Sequence, residues 1–103
     1  MEKTKVIDTN ILIKEKTGLT TIFNIIEHPN ALDYNVEILW PDRIDYLRSV
    51  KIGADLFKIG KPIPAVDIVI AAMCINRNLI LVTRDKHFES IALIEKDFKF
   101  ELK

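Results

Sequence analysis

Residues 66–75, VDIVIAAMCI, are apolar at nearly every position, and residues 79–82, LILV, follow after a break containing Arg77 and Asn78. A run that is apolar all round predicts a helix buried on most of its faces. The shorter run, bounded by polar residues, predicts a strand. The segment GKPIP, Gly60 to Pro64, interrupts whatever precedes, and its prolines fit ahead of the helix or within its first turn. A buried helix leading into a buried strand is half of a parallel α/β unit.

The rest of the chain completes that pattern. Lys5 to Asp8 reads as a buried strand parallel to Leu79–Val82, and Thr9 to Lys16 as a short helix or loop. From Gly18 a helical period places Leu19, Ile22, Phe23 and Ile26 on one side, until His28-Pro29-Asn30 stops it. Val36–Leu39 reads as a further strand. Asp42 fits the N-cap of a helix whose stripe Ile44, Leu47, Val50, Ala54 and Phe57 faces the core. Asp45, Arg48, Lys51, Asp55 and Lys58 then face water. Gly53 inside this helix costs about 1 kcal/mol against alanine, for which close packing of a neighbour is one reason. Phe98–Leu102 alternates and suits an edge strand. Residues 1–103 make one domain.

Composition excludes more than it assigns. Hydrophobic residues at 49% rule out disorder, and 15 basic against 15 acidic residues leave no global field for a polyanion. A single cysteine, Cys74, excludes an internal disulfide and sits in the apolar run, where a packed thiol is expected. No apolar segment approaches the ~20 residues of a membrane span, and MEKTK leads straight into a strand without a signal-peptide pattern. A cytoplasmic location is expected.

Three acids decide the chemistry. Ligands of open parallel sheets bind beyond the carboxyl ends of the strands. Asp8 follows the first strand, Asp85 follows ILVTR, and Asp67 occupies the first turn of the buried helix. Three carboxylates crowded at one rim raise one another's pKa unless a cation joins them. Mg²⁺ or Mn²⁺ prefers such oxygen donors, and these ions activate water and neutralise charge building on a phosphate. Taken singly, each acid also fits a cap or a turn. Phosphodiester hydrolysis is the chemistry the three together suggest.

The stretches VIDTNILI (residues 6–13) and GKPIPAVDIVIAAMCINRNLILVTRDKHFESI (residues 60–91) resemble the PIN-domain family, especially its small VapC-type toxins. The shared features are acid-Thr-Asn after strand one, Asp67 ahead of Ile70-Ala71-Ala72, and Thr83, Asp85 and Phe88 on the exit from the later strand. The resemblance implies a three-layer αβα PIN-like fold with a small, mostly parallel sheet. It further implies a metal-dependent endoribonuclease whose Asp8, Asp67 and Asp85 hold Mg²⁺ or Mn²⁺, supported through hydrogen bonds by Asn10 and Thr83. RNA, a protein antitoxin and a second copy of the chain are the partners it implies.

The same comparison implies departures. The family carries a fourth acid, a glutamate, on a helix after its second strand, and the chain reads as lacking that strand and helix just beyond Ile13. Glu15 and Glu27 are the nearest substitutes. The Val36 strand is then expected to pair directly with the Val6 strand, or a partner chain to fill the gap. His87 stands where many relatives have an acid; a histidine there can ligate a metal, with imidazole suiting Zn²⁺ or Mn²⁺ better than Mg²⁺, but it reads as a solvated turn histidine. Lys14, Lys16, Lys58, Lys61, Arg84 and Lys86 lie near the motifs and suit phosphate binding. Trp40 and Phe88 suit base stacking, though core packing is the commoner use. The alternative is a catalytically impaired PIN-like module that binds RNA or a protein. An aspartate phospho-acceptor domain fits less well, because it expects a pair of acids after strand one.

Overall fold

The computed structural model describes residues 4–103. Its strands are β1 (Lys5–Ile7), β2 (Thr17–Thr21), β3 (Asn35–Leu39), β4 (Ile80–Thr83) and β5 (Lys99–Leu102). They form one sheet in the order β3-β2-β1-β4-β5, and every pairing is parallel. The helices are α1 (Thr9–Glu15), α2 (Ile22–Glu27), α3 (Arg43–Lys58), α4 (Ala65–Asn76) and α5 (Phe88–Ile94), with a 3-10 turn at Pro29–Asp33.

Strand alternation creates the layers. Val6 lies opposite Leu81, and both side chains enter a core built with Ile52 and Leu56 of α3, Ala71 and Ile75 of α4, and Ile91 of α5. Their neighbours Ile7 and Val82 point to the other face. There they pack with Ile11 and Leu12 of α1 and Ile25 of α2. The sheet is therefore covered on both sides, the three-layer αβα arrangement expected. Cys74 is buried in the first core, and burial pushes its thiol up to about 12, so it is an inert packing group. No helix among the described residues is long and apolar enough to cross a membrane.

The expected gap after Ile13 is absent. Thr17–Thr21 is a strand, lying between β1 and β3, with Val6 opposite Leu19 and Thr21 opposite Leu39. The Val36 strand therefore pairs with β2 and not with the Val6 strand. The period Leu19, Ile22, Phe23, Ile26 crosses an element boundary. Leu19 belongs to the strand, the helix begins at Ile22, and Ile26 is 66% exposed. Gly18 takes φ +126°, which side chains rarely adopt, while β-branched Thr20 and Thr21 suit the pleat that follows. Thr21 then caps α2 in a reciprocal box with Asn24.

The α3 reading fails for its apolar stripe and for Asp45. Ile44, Leu47, Val50 and Phe57 are 60–73% exposed, and the buried side chains of the helix are Asp45, Ile52 and Leu56. Lys51 and Lys58 face water as expected, but the inward Ile52 and Leu56 belong to neither expected face. Asp45 is drawn in by Arg77, at the C-terminal end of α4, whose Nη1 and Nη2 donate to its two oxygens at 2.8 and 2.9 Å. Asp42 caps α3 as expected, in a box with Asp45. At Gly53 a Cβ would meet only the Ile68 Cδ1, at an ordinary 3.7 Å, so close packing does not require glycine there.

Candidate active site

The carboxyl ends of β1 and β4 present the candidate residues. Asp8 leaves β1, its N–H bonding to the Val82 carbonyl at 2.9 Å, while its own carbonyl accepts the N–H groups of Ile11 and Leu12 in α1. Each oxygen of its carboxylate has a donor. Thr83 Oγ1 donates to Oδ2 at 2.6 Å and Asn24 Nδ2 donates to Oδ1 at 2.7 Å. Thr83 and Asn24 are fully buried. Thr83 also accepts from the Asp85 N–H at 3.0 Å, so one hydroxyl links two of the acids. Thr83 therefore touches Asp8 and Asp85 together. Asn10 is exposed in the first turn of α1, and no hydrogen bond joins its side chain to these acids among the described residues.

Asp67 and Asp85 are brought together, and His87 joins them. Its Nδ1 lies 3.2 Å from Asp67 Oδ2 and 3.2 Å from Asp85 Oδ1. One donor atom from each of the three residues lies within 4.8 Å of the other two. The His87 N–H also donates to Asp85 Oδ1 at 2.9 Å, and the next residue, Phe88, is fully buried. His87 is exposed in a turn, as expected, and its backbone bond to Asp85 holds its ring beside the two acids. Asp8 stands outside this trio, yet its charge reaches Asp67. Burial pushes the Asp67 carboxyl above its ordinary value; the His87 bond opposes that rise, and the charges on Asp85 and Asp8 add to it. A divalent cation would relieve this repulsion, and oxygen donors with one imidazole are groups such ions accept. The residues present fit a metal centre.

Asn24 is the site residue that sequence reasoning missed. It lies on the helix after the second strand, where the fourth acid was sought. The Thr21 N–H can only donate, and it points at Asn24 Oδ1 (3.3 Å), so the amide nitrogen must face Asp8. The signal was available in Thr21-x-x-Asn24, the spacing of a capping box. Glu27 accepts from the Thr9 hydroxyl beside the site, whereas Glu15 ends α1 at the opposite edge of the sheet. Lys14 and Lys16 share that far edge, because α1 runs antiparallel to the strands and delivers them to the start of β2. Arg84 and Lys86 flank Asp85, and Lys58 and Lys61 precede α4, whose N-terminus carries Asp67. Phe88 is core, while Trp40 is 61% exposed.

An isosteric change tests the amide. Asn24→Asp sets a second carboxylate against Asp8 in the same buried volume. The variant is expected to lose about 2 kcal/mol, near 10 °C in Tm, without divalent ions. Millimolar Mn²⁺ is expected to recover more of that Tm than it adds to the parent protein. Equal melting of variant and parent, with and without the ion, would show that the amide does not face Asp8.

The fold recurs in toxin–antitoxin complexes. VapBC-1 of nontypeable Haemophilus influenzae matches at 21% identity with a TM-score of 0.74, covering 95% of this chain and 96% of that one. VapBC-5 of Mycobacterium tuberculosis matches at 17% and 0.76, covering 97% and 99%. DNA-bound VapBC of Salmonella typhimurium matches at 20% and 0.74, covering 95% and 96%. No curated protein sequence matches. The model of the PIN domain, however, matches residues 28–94, well over half of the chain and inclusive of Asp67 and Asp85. On that match and this fold, the chain belongs to the PIN domain family.

Proposed function

We propose that the chain is a VapC-type, Mg²⁺- or Mn²⁺-dependent endoribonuclease of a toxin–antitoxin pair, acting in the cytoplasm. The observation that carries the reading is the convergence of Asp67 and Asp85, with Asp8 close enough to raise Asp67 further. These three carboxylates would hold the metal. Bound there, the ion would supply an activated water and neutralise charge on the phosphate in the transition state. The chain's own part is positional. Thr83 and Asn24 fix both oxygens of Asp8, and the Asp85–His87 turn fixes Asp85. Arg84 and Lys86 beside Asp85 offer charge to the flanking phosphates of an RNA strand.

One observation favours a second reading, an impaired module that only binds RNA or protein. Asn24 is neutral, so the fourth carboxylate is missing and a second cation has few ligands. Incubation of the purified chain with single-stranded RNA separates the two. Cleavage with Mn²⁺ that stops on chelation supports the enzyme; RNA binding without cleavage at any Mg²⁺ or Mn²⁺ concentration supports the module.

The proposed protein partners are an antitoxin and a second copy of the chain. We assign the exposed stripe of α3 to the second copy, because one helix of 16 residues can pack against its own two-fold mate. An apolar groove lined by Val50, Ala54 and Phe57 of α3 and by Ile68 of α4 continues this stripe. Val50 is 71% exposed, so Val50→Asp is expected to leave the fold intact and to weaken self-association at least about tenfold. Sedimentation over a concentration series checks this; a monomeric parent would remove the assignment.

A further inference from the structure

The geometry points to His87 as a metal ligand through Nδ1, making the centre a mixed carboxylate–imidazole site that selects Mn²⁺ over Mg²⁺. This rests on the metal-dependent reading above. The supporting facts are positional. Nδ1 is 3.2 Å from an oxygen of each of two acids that reach it from different elements, Asp67 from α4 and Asp85 from the turn after β4. An imidazole nitrogen carries one proton at most, so it cannot donate fully to both. Both contacts also exceed the ~2.7–2.9 Å of a charge-assisted N–H···O bond. Two donors bound at ~2.0–2.2 Å to one ion in neighbouring positions lie ~3 Å apart, which is close to the separations seen.

The support under the ring is equally specific. The backbone at His87 is held by its N–H bond to Asp85, and the adjacent Phe88 is anchored in the core against Phe98. The ring therefore stands over the acids without recruiting another element. Imidazole binds first-row transition ions, of which Mn²⁺ is the earliest and weakest-binding, and competes poorly for Mg²⁺, which favours oxygen and retains its waters. A third acid at this position would add charge and serve Mg²⁺ equally. Histidine instead adds a donor that only one of the two ions values.

Calorimetric titration of the metal-free protein with Mn²⁺ alone, and with Mg²⁺ alone, tests this. His87→Ala is expected to lose at least about tenfold in Mn²⁺ affinity while Mg²⁺ affinity changes little, so that the Mn²⁺/Mg²⁺ ratio collapses. His87→Gln, which keeps bulk and polarity, is expected to behave like His87→Ala. Pulsed EPR of the Mn²⁺-loaded parent is expected to show coupling to a directly bound imidazole nitrogen that His87→Ala lacks. An unchanged ratio would overturn the assignment, and so would tighter Mn²⁺ binding by His87→Ala, which would mark the ring as occupying the cation's place. If Mn²⁺ binding is abolished by Asp67→Asn yet untouched by His87→Ala, this inference fails and the metal centre stands. If the parent binds neither ion, both fail.

Discussion

Asp67→Asn, Asp85→Asn and Asp8→Asn are each expected to leave a folded protein whose metal-dependent RNA cleavage falls at least about 10²-fold, ~3 kcal/mol of transition-state stabilisation. The three should differ in stability, and that difference is what ties the loss to the site. Asp67 is held above its ordinary pKa, by burial first and by its charged neighbours after it. A carboxyl raised on folding favours the native state only at low pH, and that contribution is lost as pH rises through its folded value. At neutral pH its charge therefore opposes folding. Asp67→Asn is expected to raise the Tm of the metal-free protein while removing activity. Asp8→Asn has the opposite stability effect, because its carboxylate accepts from two buried donors, Asn24 and Thr83. An amide at position 8 turns its NH₂ toward one of them and loses a bond, at a cost of about 1–3 kcal/mol. Melting curves and an RNA cleavage assay on the same samples check both halves. Cleavage at parental rates by all three variants would remove the site assignment.

Much of this architecture can be read without coordinates, and the parts that cannot share a cause. The α4 run and the β1 and β4 strands are legible because they are apolar on nearly every side, so burial leaves no choice of orientation. Asp8, Asp67 and Asp85 are legible because strand ends and a helix start must fall at one edge of a parallel sheet. Residues 17–21 are not, because Leu19 satisfies a helical period by coincidence and Gly18 weakens the strand signal. The inward face of α3 is not, because a hydropathy pattern assumes that apolar residues point in. Here a buried ion pair fixes one side, and the apolar side is left outward. Asn24 is hidden for a third reason: it lacks the charge by which the acids announce themselves, and its place emerges only once the Asp8 carboxylate it touches is in position.

The buried pair behind that arrangement should dominate stability. Asp45 is fully buried and receives four side-chain and backbone donors: Arg77 Nη1 and Nη2, Asn76 Nδ2 at 2.8 Å and the Asp42 N–H at 2.8 Å. Asn76 in turn receives Arg48, which also pairs with Glu95, so the network ties α3 to α4 and to the end of α5. Asp45→Asn removes the charge and leaves the guanidinium with only the longer, 3.5 Å contact to Asp42 as an ionic partner. Loss of one partner from a buried pair costs about 3–5 kcal/mol; Arg77 keeps some water contact, which places the expectation near 3 kcal/mol, or roughly 15 °C in Tm. The pH dependence gives this a second signature. Burial alone would raise the Asp45 carboxyl, but the bonds from Arg77, from the Asp42 backbone and from Asn76 outweigh it and hold the pKa below 3.8. A carboxyl depressed in the native state stabilises above its unfolded pKa, and that contribution is lost as pH falls through the folded value. The gap between parent and Asp45→Asn should therefore be full at neutral pH and narrow progressively below about pH 4. Arg77→Met in the Asp45→Asn background is expected to recover part of the loss, since an unpaired buried cation costs more than an apolar chain of similar length. Urea unfolding of the three proteins across pH checks every arm. A gap that stays constant down to pH 3, or a double variant no more stable than Asp45→Asn, would show that the network does not hold α3 with its polar face inward.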